Sequence, residues 1–146
     1  MSLENAMACE LCDTDGGEIL WQNELCRVVL VDDPDYPGFC RVILKRHAQE
    51  MTDLGFMGRT HFMAVVLAAE QAVRQVMAPD KINLASLGNV VPHLHWHVIP
   101  RFRNDKHFPN PIWGTPQREG SPISIPDLAE KLRAVFHEAL AASFPN

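Results

Sequence analysis

Three short β-favouring runs open the hydrophobic pattern of this chain: Ile19 to Trp21, Cys26 to Val31 and Phe39 to Leu44. They are separated by Gln22-Asn23-Glu24 and by the turn-forming stretch Asp32-Asp33-Pro34-Asp35-Tyr36-Pro37-Gly38, and together they predict an antiparallel meander. From Asp53 to Met77 the period changes. Phe56, Phe62, Val65, Val66, Ala69, Val73 and Met77 recur at helical spacing, and Ala78-Pro79-Asp80 ends the run, which predicts one long helix. Ile82 to Ser86 and His95 to Pro100 return to strand character around a Gly88-Asn89 turn and predict a second hairpin, with Pro92 at the start of its last strand. A C-terminal helix is expected over Ser124 to Ala142, with Ser124 as N-cap, Pro126 and Asp127 in its first turn, and Leu128, Leu132, Val135, Phe136 and Leu140 as its apolar stripe. Phe102 to Ile123 reads as an irregular loop. Its Phe108, Ile112 and Trp113 argue against plain disorder, with Phe108 and Trp113 either packing against the sheet or covering a bound ligand or a second copy's site.

At 146 residues with 47% hydrophobic and 21% charged content, the chain fits a single domain with its own core over 1–146. The net charge of -5 argues against binding a nucleic-acid polymer, which requires a broad basic face. A small anionic substrate stays compatible, since local charge outweighs net charge inside a pocket. Met1 to Cys12 has no basic stretch followed by an apolar core, and no run is long enough to span a bilayer, so no membrane association and a cytoplasmic location are expected. In that compartment Cys9, Cys12, Cys26 and Cys40 are thiols or metal ligands.

The chemistry concentrates in His93-Leu94-His95-Trp96-His97. In an extended strand His93, His95 and His97 share one face, about 6.6 Å apart at about 3.3 Å of rise per residue, while Leu94, Trp96 and Val98 face a core. A neutral imidazole is a competent nucleophile near neutral pH, and a neighbouring ring can donate to phosphate oxygens or protonate a leaving group. For His-x-His alone, metal ligation is the first alternative, as in cupin-type sites. Those sites add a carboxylate a few residues on, whereas here no acid appears before Asp105. The third histidine and the upstream glycine turn favour phosphate chemistry.

Asn83, Gly88-Asn89 and His93-Leu94-His95-Trp96-His97-Val98-Ile99-Pro100-Arg101 together resemble the signature of the histidine triad (HIT) superfamily. The resemblance extends back through Lys45-Arg46-His47, Pro37-Gly38 and Asp32 to Cys9-x-x-Cys12, covering about residues 9 to 103 and leaving the tail from 104 to 146 outside. It implies an α+β fold, a five-stranded antiparallel sheet with one long helix and a C-terminal helix, often paired into a homodimer. It implies His95 as the nucleophile, oriented through a ring N–H bonded to backbone near His93. His97 then contacts phosphate and leaving group, Asn83 the phosphate or sugar, and Asp32 the ribose hydroxyls. The amides around Gly88 and Asn89 face the leaving group.

Related nucleotidyltransferases carry glutamine, which cannot protonate a leaving group, where His97 stands, so the resemblance favours hydrolysis of a dinucleoside polyphosphate or a nucleoside phosphoramidate, with His97 as general acid and no metal needed for the chemical step. A nucleotide-binding or signalling protein with little turnover, and a metal-dependent enzyme using the histidines as ligands, are the alternatives. Phe39 stands where many members have histidine, and Val90 where they have serine or threonine.

Cys9-Glu10-Leu11-Cys12 has the knuckle spacing of a structural zinc site, and His47 and His93 are the candidates to complete it. Some histidine-triad proteins resemble this arrangement. Ordinary thiols are the alternative, and no strand-to-helix context supports a redox pair. Arg101, Arg103 and Lys106 form either a polyphosphate-attracting cluster or a solvated surface. His61 and His137 fall on helices as structural or surface groups, and His107 sits in the late loop.

Overall fold

The computed structural model describes residues 8–144; residues 1–7, on which most of the reading about an N-terminal leader rested, lie outside the described residues. Five strands form one antiparallel sheet: β1 (Glu18–Gln22), β2 (Cys26–Leu30), β3 (Cys40–Leu44), β4 (Lys81–Ala85) and β5 (His95–Arg101), in the order β1-β2-β3-β5-β4. Among the described residues three α-helices accompany them: α1 (Glu10–Asp13), α2 (Phe56–Met77) and α3 (Leu128–Ser143). The predicted meander, hairpin, long helix and C-terminal helix are all present, and the α+β fold stands as expected.

Period-two alternation builds the two faces. Cys26, Val28, Cys40, Val42, Leu44, Leu94 and Val98 point to one side and meet Phe62, Val65, Val66, Ala69, Val73 and Met77 of α2 in the main core. Helix α3 packs against α2 through Leu132, Phe136 and Ala139, and Phe136 reaches β1, its ring 5.3 Å from that of Trp21. On the opposite face Val29 and Ile43 meet Cys9 and Leu11, while Ile99 meets Tyr36 and Phe39. That second face carries the candidate site.

Strand limits shift by a residue against the sequence reading, and three boundaries differ by more. Helix α2 starts at Phe56 instead of Asp53, because Met51–Asp53 forms a separate 3-10 turn in which the Glu50 and Asp53 side chains cap each other's backbone. Helix α3 starts at Leu128, so Ser124 is not its N-cap, and Pro126 and Asp127 precede the first turn. Asp127 instead occupies a left-handed conformation, with φ +56°, which breaks the chain direction just before the helix. Pro92 lies outside β5, three residues before its first residue. At the other end of α2, Ala78 is left-handed and Pro79 has no N–H to continue the ladder, so the helix stops where the pattern placed it.

The turn before β3 depends on Gly38. Its φ of +87° suits glycine, and a Cβ there would lie 2.7 Å from Sδ of Met77, so the turn and the end of α2 fit only without a side chain.

Candidate active site

Strand β5 is central to the sheet, hydrogen-bonded to β3 on one side and β4 on the other, so its backbone is fixed on both edges. His95 pairs with Ile43, and His97 lies between Arg41 of β3 and Ala85 of β4. His95 and His97 both line a cavity of about 420 Å³, with ring centroids 4.9 Å apart and the rings edge to face. Arg41, Glu10, Leu11, the segment Leu87 to Val91 and Trp113 complete the lining.

His93 departs from the expected row. Its residue precedes β5, its N–H donates to the Val91 carbonyl at 2.8 Å, and its fully buried ring turns away from the cavity toward α1. The alternation rule holds only while the backbone keeps its strand geometry, and the chain enters that geometry at His95. The three-imidazole face is therefore a two-imidazole face. His93 still reaches the cavity through its backbone, because its carbonyl accepts the Nδ1–H of His95. Only the Nδ1–H tautomer can donate to a carbonyl, which leaves Nε2 of His95 as a free lone pair.

Burial pulls the His95 pKa down, opposed by the bond to the His93 carbonyl and reinforced by the charge of Arg41. His97 is lowered further, to about 3, by burial, then by His95 and Arg41. Both rings are therefore neutral at pH 7 in this pocket. Phe39 packs edge-on to His97 at 5.7 Å. Trp113, from the irregular segment between β5 and α3, stands 4.9 Å from His97 with half of its surface exposed.

Gly88 and Asn89 line the cavity as expected, and Gly88 has φ +71°, which favours glycine. Val90 also lines it, with its side chain open to solvent. Asp32 is exposed and does not line the cavity. Asn83 shares the face of β5 but is held elsewhere: its Oδ1 accepts from Nη1 of Arg101 at 2.7 Å. Arg101 is itself buried and paired bidentately with Asp105 at 2.8 and 3.0 Å, so it is neither a solvated surface charge nor part of the cavity lining. Lys106 pairs with Asp35 at 3.6 Å, and Arg103 is exposed. His107 bonds the Tyr36 hydroxyl at 2.6 Å, His61 bonds Asn23 at 2.8 Å, and His137 is exposed.

Arg41 is the site residue that the sequence reading missed. A lone cation inside the apolar strand Cys40-Arg41-Val42-Ile43-Leu44 was the available signal, since a charge at a central-strand position requires a reason to be there.

Beside the cavity, Cys9, Cys12, His47 and His93 converge, each offering one ligand atom, and all four atoms lie within 4.8 Å of one another. Separations are 3.3 Å for Cys9 Sγ to His93 Nδ1, 3.4 Å for Cys12 Sγ to His47 Nδ1, 3.5 Å for Cys12 Sγ to His93 Nδ1 and 3.3 Å between the two Nδ1 atoms. Tetrahedral ligands at zinc distances of about 2.0–2.3 Å stand about 3.3–3.8 Å apart, so the four donors fit that ion in number, type and spacing. Nε2–H of His93 donates to the Leu44 carbonyl at 2.6 Å, which leaves its Nδ1 bare and aimed at the cluster. Arg27 of β2 holds the helix that carries both thiols, donating to the carbonyls of Leu11, Thr14 and Asp15 at 2.8 to 2.9 Å.

An AP-4-A phosphorylase of Mycobacterium tuberculosis is 29% identical over 112 residues, covering 73% of this chain and 57% of the relative. A bis(5'-nucleosyl)-tetraphosphatase (asymmetrical) of Schizosaccharomyces pombe is 26% identical over 95 residues, covering 62% of this chain and 52% of the relative. The chain thus spans about half the length of these two relatives. Among solved structures, a Zn-bound histidine triad family protein from Mycobacterium smegmatis superposes with a TM-score of 0.60 at 25% identity, over 94% of this chain and 96% of that one. The family model of the HIT domain matches residues 16–104, a span that holds Arg41, His47 and all three triad histidines, and this chain belongs to the HIT family.

Proposed function

We propose that this protein is a nucleotide hydrolase that cleaves at the α-phosphate of a dinucleoside polyphosphate or nucleoside phosphoramidate through a nucleotidyl group carried on His95. One observation carries the reading: the Nδ1–H of His95 is committed to the His93 carbonyl, so its free Nε2 is the ring nitrogen left for the cavity, beside His97. Nε2 attacks phosphorus as the bond to the leaving group breaks, and the leaving group departs with that electron pair. Water then attacks the same phosphorus and gives up a proton to solvent, the N–P bond breaks with its electron pair returning to Nε2, and a nucleoside monophosphate leaves. His97 contacts the departing oxygen, and backbone N–H groups around Gly88 and Asn89 offer hydrogen bonds to the displaced polyphosphate. Asp32 and Asn83 remain proposals for nucleoside contacts, in which Asn83 acts from its bond with Arg101.

We assign Cys9, Cys12, His47 and His93 to one structural zinc ion. Its role is to hold α1 and the segment before β5 against the sheet; the chemical step belongs to His95 and His97 and needs no metal. The Zn-bound relative supports this assignment. A cytoplasmic homodimer acting on small nucleotides is the setting in which this reading is placed, without nucleic-acid polymer or membrane as partner; among the described residues no helix is long and apolar enough to cross a membrane.

The name of the mycobacterial relative favours a second reading, in which inorganic phosphate replaces water in the second step and the product is a nucleoside diphosphate. Rapid mixing with diadenosine tetraphosphate, followed by intact-mass analysis of wild type and His95→Ala, tests the class. An adenylyl adduct present in wild type and absent from the variant is expected. Unchanged turnover in His95→Ala overturns the mechanism. Product analysis with added phosphate separates AMP release from ADP release.

A further inference from the structure

Arg41 faces His97 directly across β3 and β5, and its Nε–H donates to Nδ1 of His97 at 3.4 Å. It lines the same cavity and, among the described residues, is the one lysine or arginine that does so. Its guanidinium lies over the Phe39 ring at 5.3 Å, which fixes its position. Among the described residues the ion pairs are Arg101–Asp105, Lys106–Asp35 and Arg133–Glu18, so Arg41 brings a positive charge to the cavity wall that is not tied up in an ion pair. Glu10 and Asp33 are the acids near enough to act on it, and neither forms an ion pair with it.

An arginine cannot accept a hydrogen bond, so a ring nitrogen facing its Nε–H must be bare. His97 is thereby held with Nδ1 as acceptor and its proton on Nε2. In that form it is a neutral donor to an oxygen, and losing its proton to a leaving group would produce an unstable imidazolate. Polyphosphate departs as an anion near neutral pH and needs hydrogen bonds and positive charge, both of which this pair supplies. An amine leaving from a phosphoramidate needs a proton, which the pair withholds.

From this juxtaposition we infer that Arg41 is a specificity-determining residue, which positions His97 as a neutral Nε2–H donor and selects polyphosphate over amine leaving groups. The inference rests on the nucleotide-hydrolase reading for its substrates, but not for all of its tests.

Turnover of diadenosine tetraphosphate and of adenosine 5'-phosphoramidate is compared in wild type, Arg41→Met and Arg41→Lys. Wild type prefers the tetraphosphate. Arg41→Met lowers kcat/KM for the tetraphosphate by about 10- to 100-fold, the range for a lost hydrogen bond to a charged group, and lowers it much less for the phosphoramidate, so the preference for the tetraphosphate shrinks. Arg41→Lys recovers part of the KM, because it keeps the charge, and less of the kcat, because it lacks the planar Nε–H. A ratio between the two substrates that is the same in all three proteins overturns the inference.

Two measurements need no turnover. Imidazole nitrogen NMR of the free protein places the His97 proton on Nε2 in wild type and loses that preference in Arg41→Met; a proton on Nδ1 in wild type refutes the positioning. Inorganic tripolyphosphate binds wild type and binds Arg41→Met about 10- to 100-fold more weakly. Equal binding to both refutes the charge role. If wild type binds tripolyphosphate with the expected Arg41 dependence and hydrolyses neither nucleotide, the hydrolase reading fails and the assignment of Arg41 stands.

Discussion

The carbonyl of His93 accepts the ring N–H of His95, while the ring of His93 belongs to the cluster of Cys9, Cys12 and His47. One residue therefore spans two sites. Its side chain serves the metal-type cluster, and its backbone fixes the tautomer of the proposed nucleophile.

That link predicts a dependence of activity on zinc that is structural in origin. Metal analysis of purified protein is expected to give one zinc per chain. Cys9→Ser with Cys12→Ser removes it, lowers the melting temperature, and lowers turnover in proportion to the folded fraction. Structural zinc contributes folding free energy, so the thermal shift is expected to be large. Full metal loss with unchanged stability would show that the four side chains hold no structural ion.

Breaking the pair of Arg101 and Asp105 is expected to be severe. Both side chains are buried, and Asp105 also accepts backbone N–H groups from Phe102, His107 and Phe108, anchoring the segment after β5. Asp105→Ala leaves the Arg101 charge without its carboxylate partner and is predicted to cost about 3–5 kcal/mol, measured by denaturant unfolding. A loss below about 1 kcal/mol would mean that other acceptors satisfy Arg101.

Trp113 hangs from that segment at the edge of His97. Because half of its surface is exposed, its removal is predicted to change stability little and to raise KM, by about 2- to 12-fold if it covers the base or sugar, the range of about 0.5–1.5 kcal/mol for aromatic contact. Steady-state kinetics of Trp113→Ala checks this, and an unchanged KM removes the residue from the substrate site.

Stability should fall on the acid side. The folded His97 pKa lies at about 3, below its ordinary value of 6.5, so between those values the unfolded chain binds a proton that the folded chain does not. Stability is then lost as pH falls from about 6.5 toward 3. Asp105 adds a second loss at lower pH, because its carboxyl is held at about 2 while that of the unfolded chain takes up a proton near 3.8. Unfolding of His97→Gln across pH 7 to 4 should show a shallower decline than wild type. The groups around this ring are His95 on its own strand and Arg41 across from it, and both remain in the variant.

Much of this architecture was legible before any coordinates. The alternation in Cys26 to Val31 and Phe39 to Leu44, the helical period to Met77 and the stop at Ala78-Pro79 are local signals, and local sterics and burial decided them. The pairing of Cys9-x-x-Cys12 with His47 and His93 came from a resemblance, and the structure brings those four donors together. The start of α3 was not legible, since Ser124 with Pro126 imitates a cap and the left-handed Asp127 overrides it.

What the amino-acid order determined by itself was the set of elements and the face on which His95 and His97 stand, because strand alternation depends only on neighbours along the chain. Which partners those residues meet was decided by the tertiary structure. His93 left the row because it precedes β5 and its ring turns to Cys9, Arg101 was taken up by Asp105, and Arg41 acquired meaning only when β3 was laid beside β5. Register between strands distant in sequence sets such contacts, and no local period encodes it.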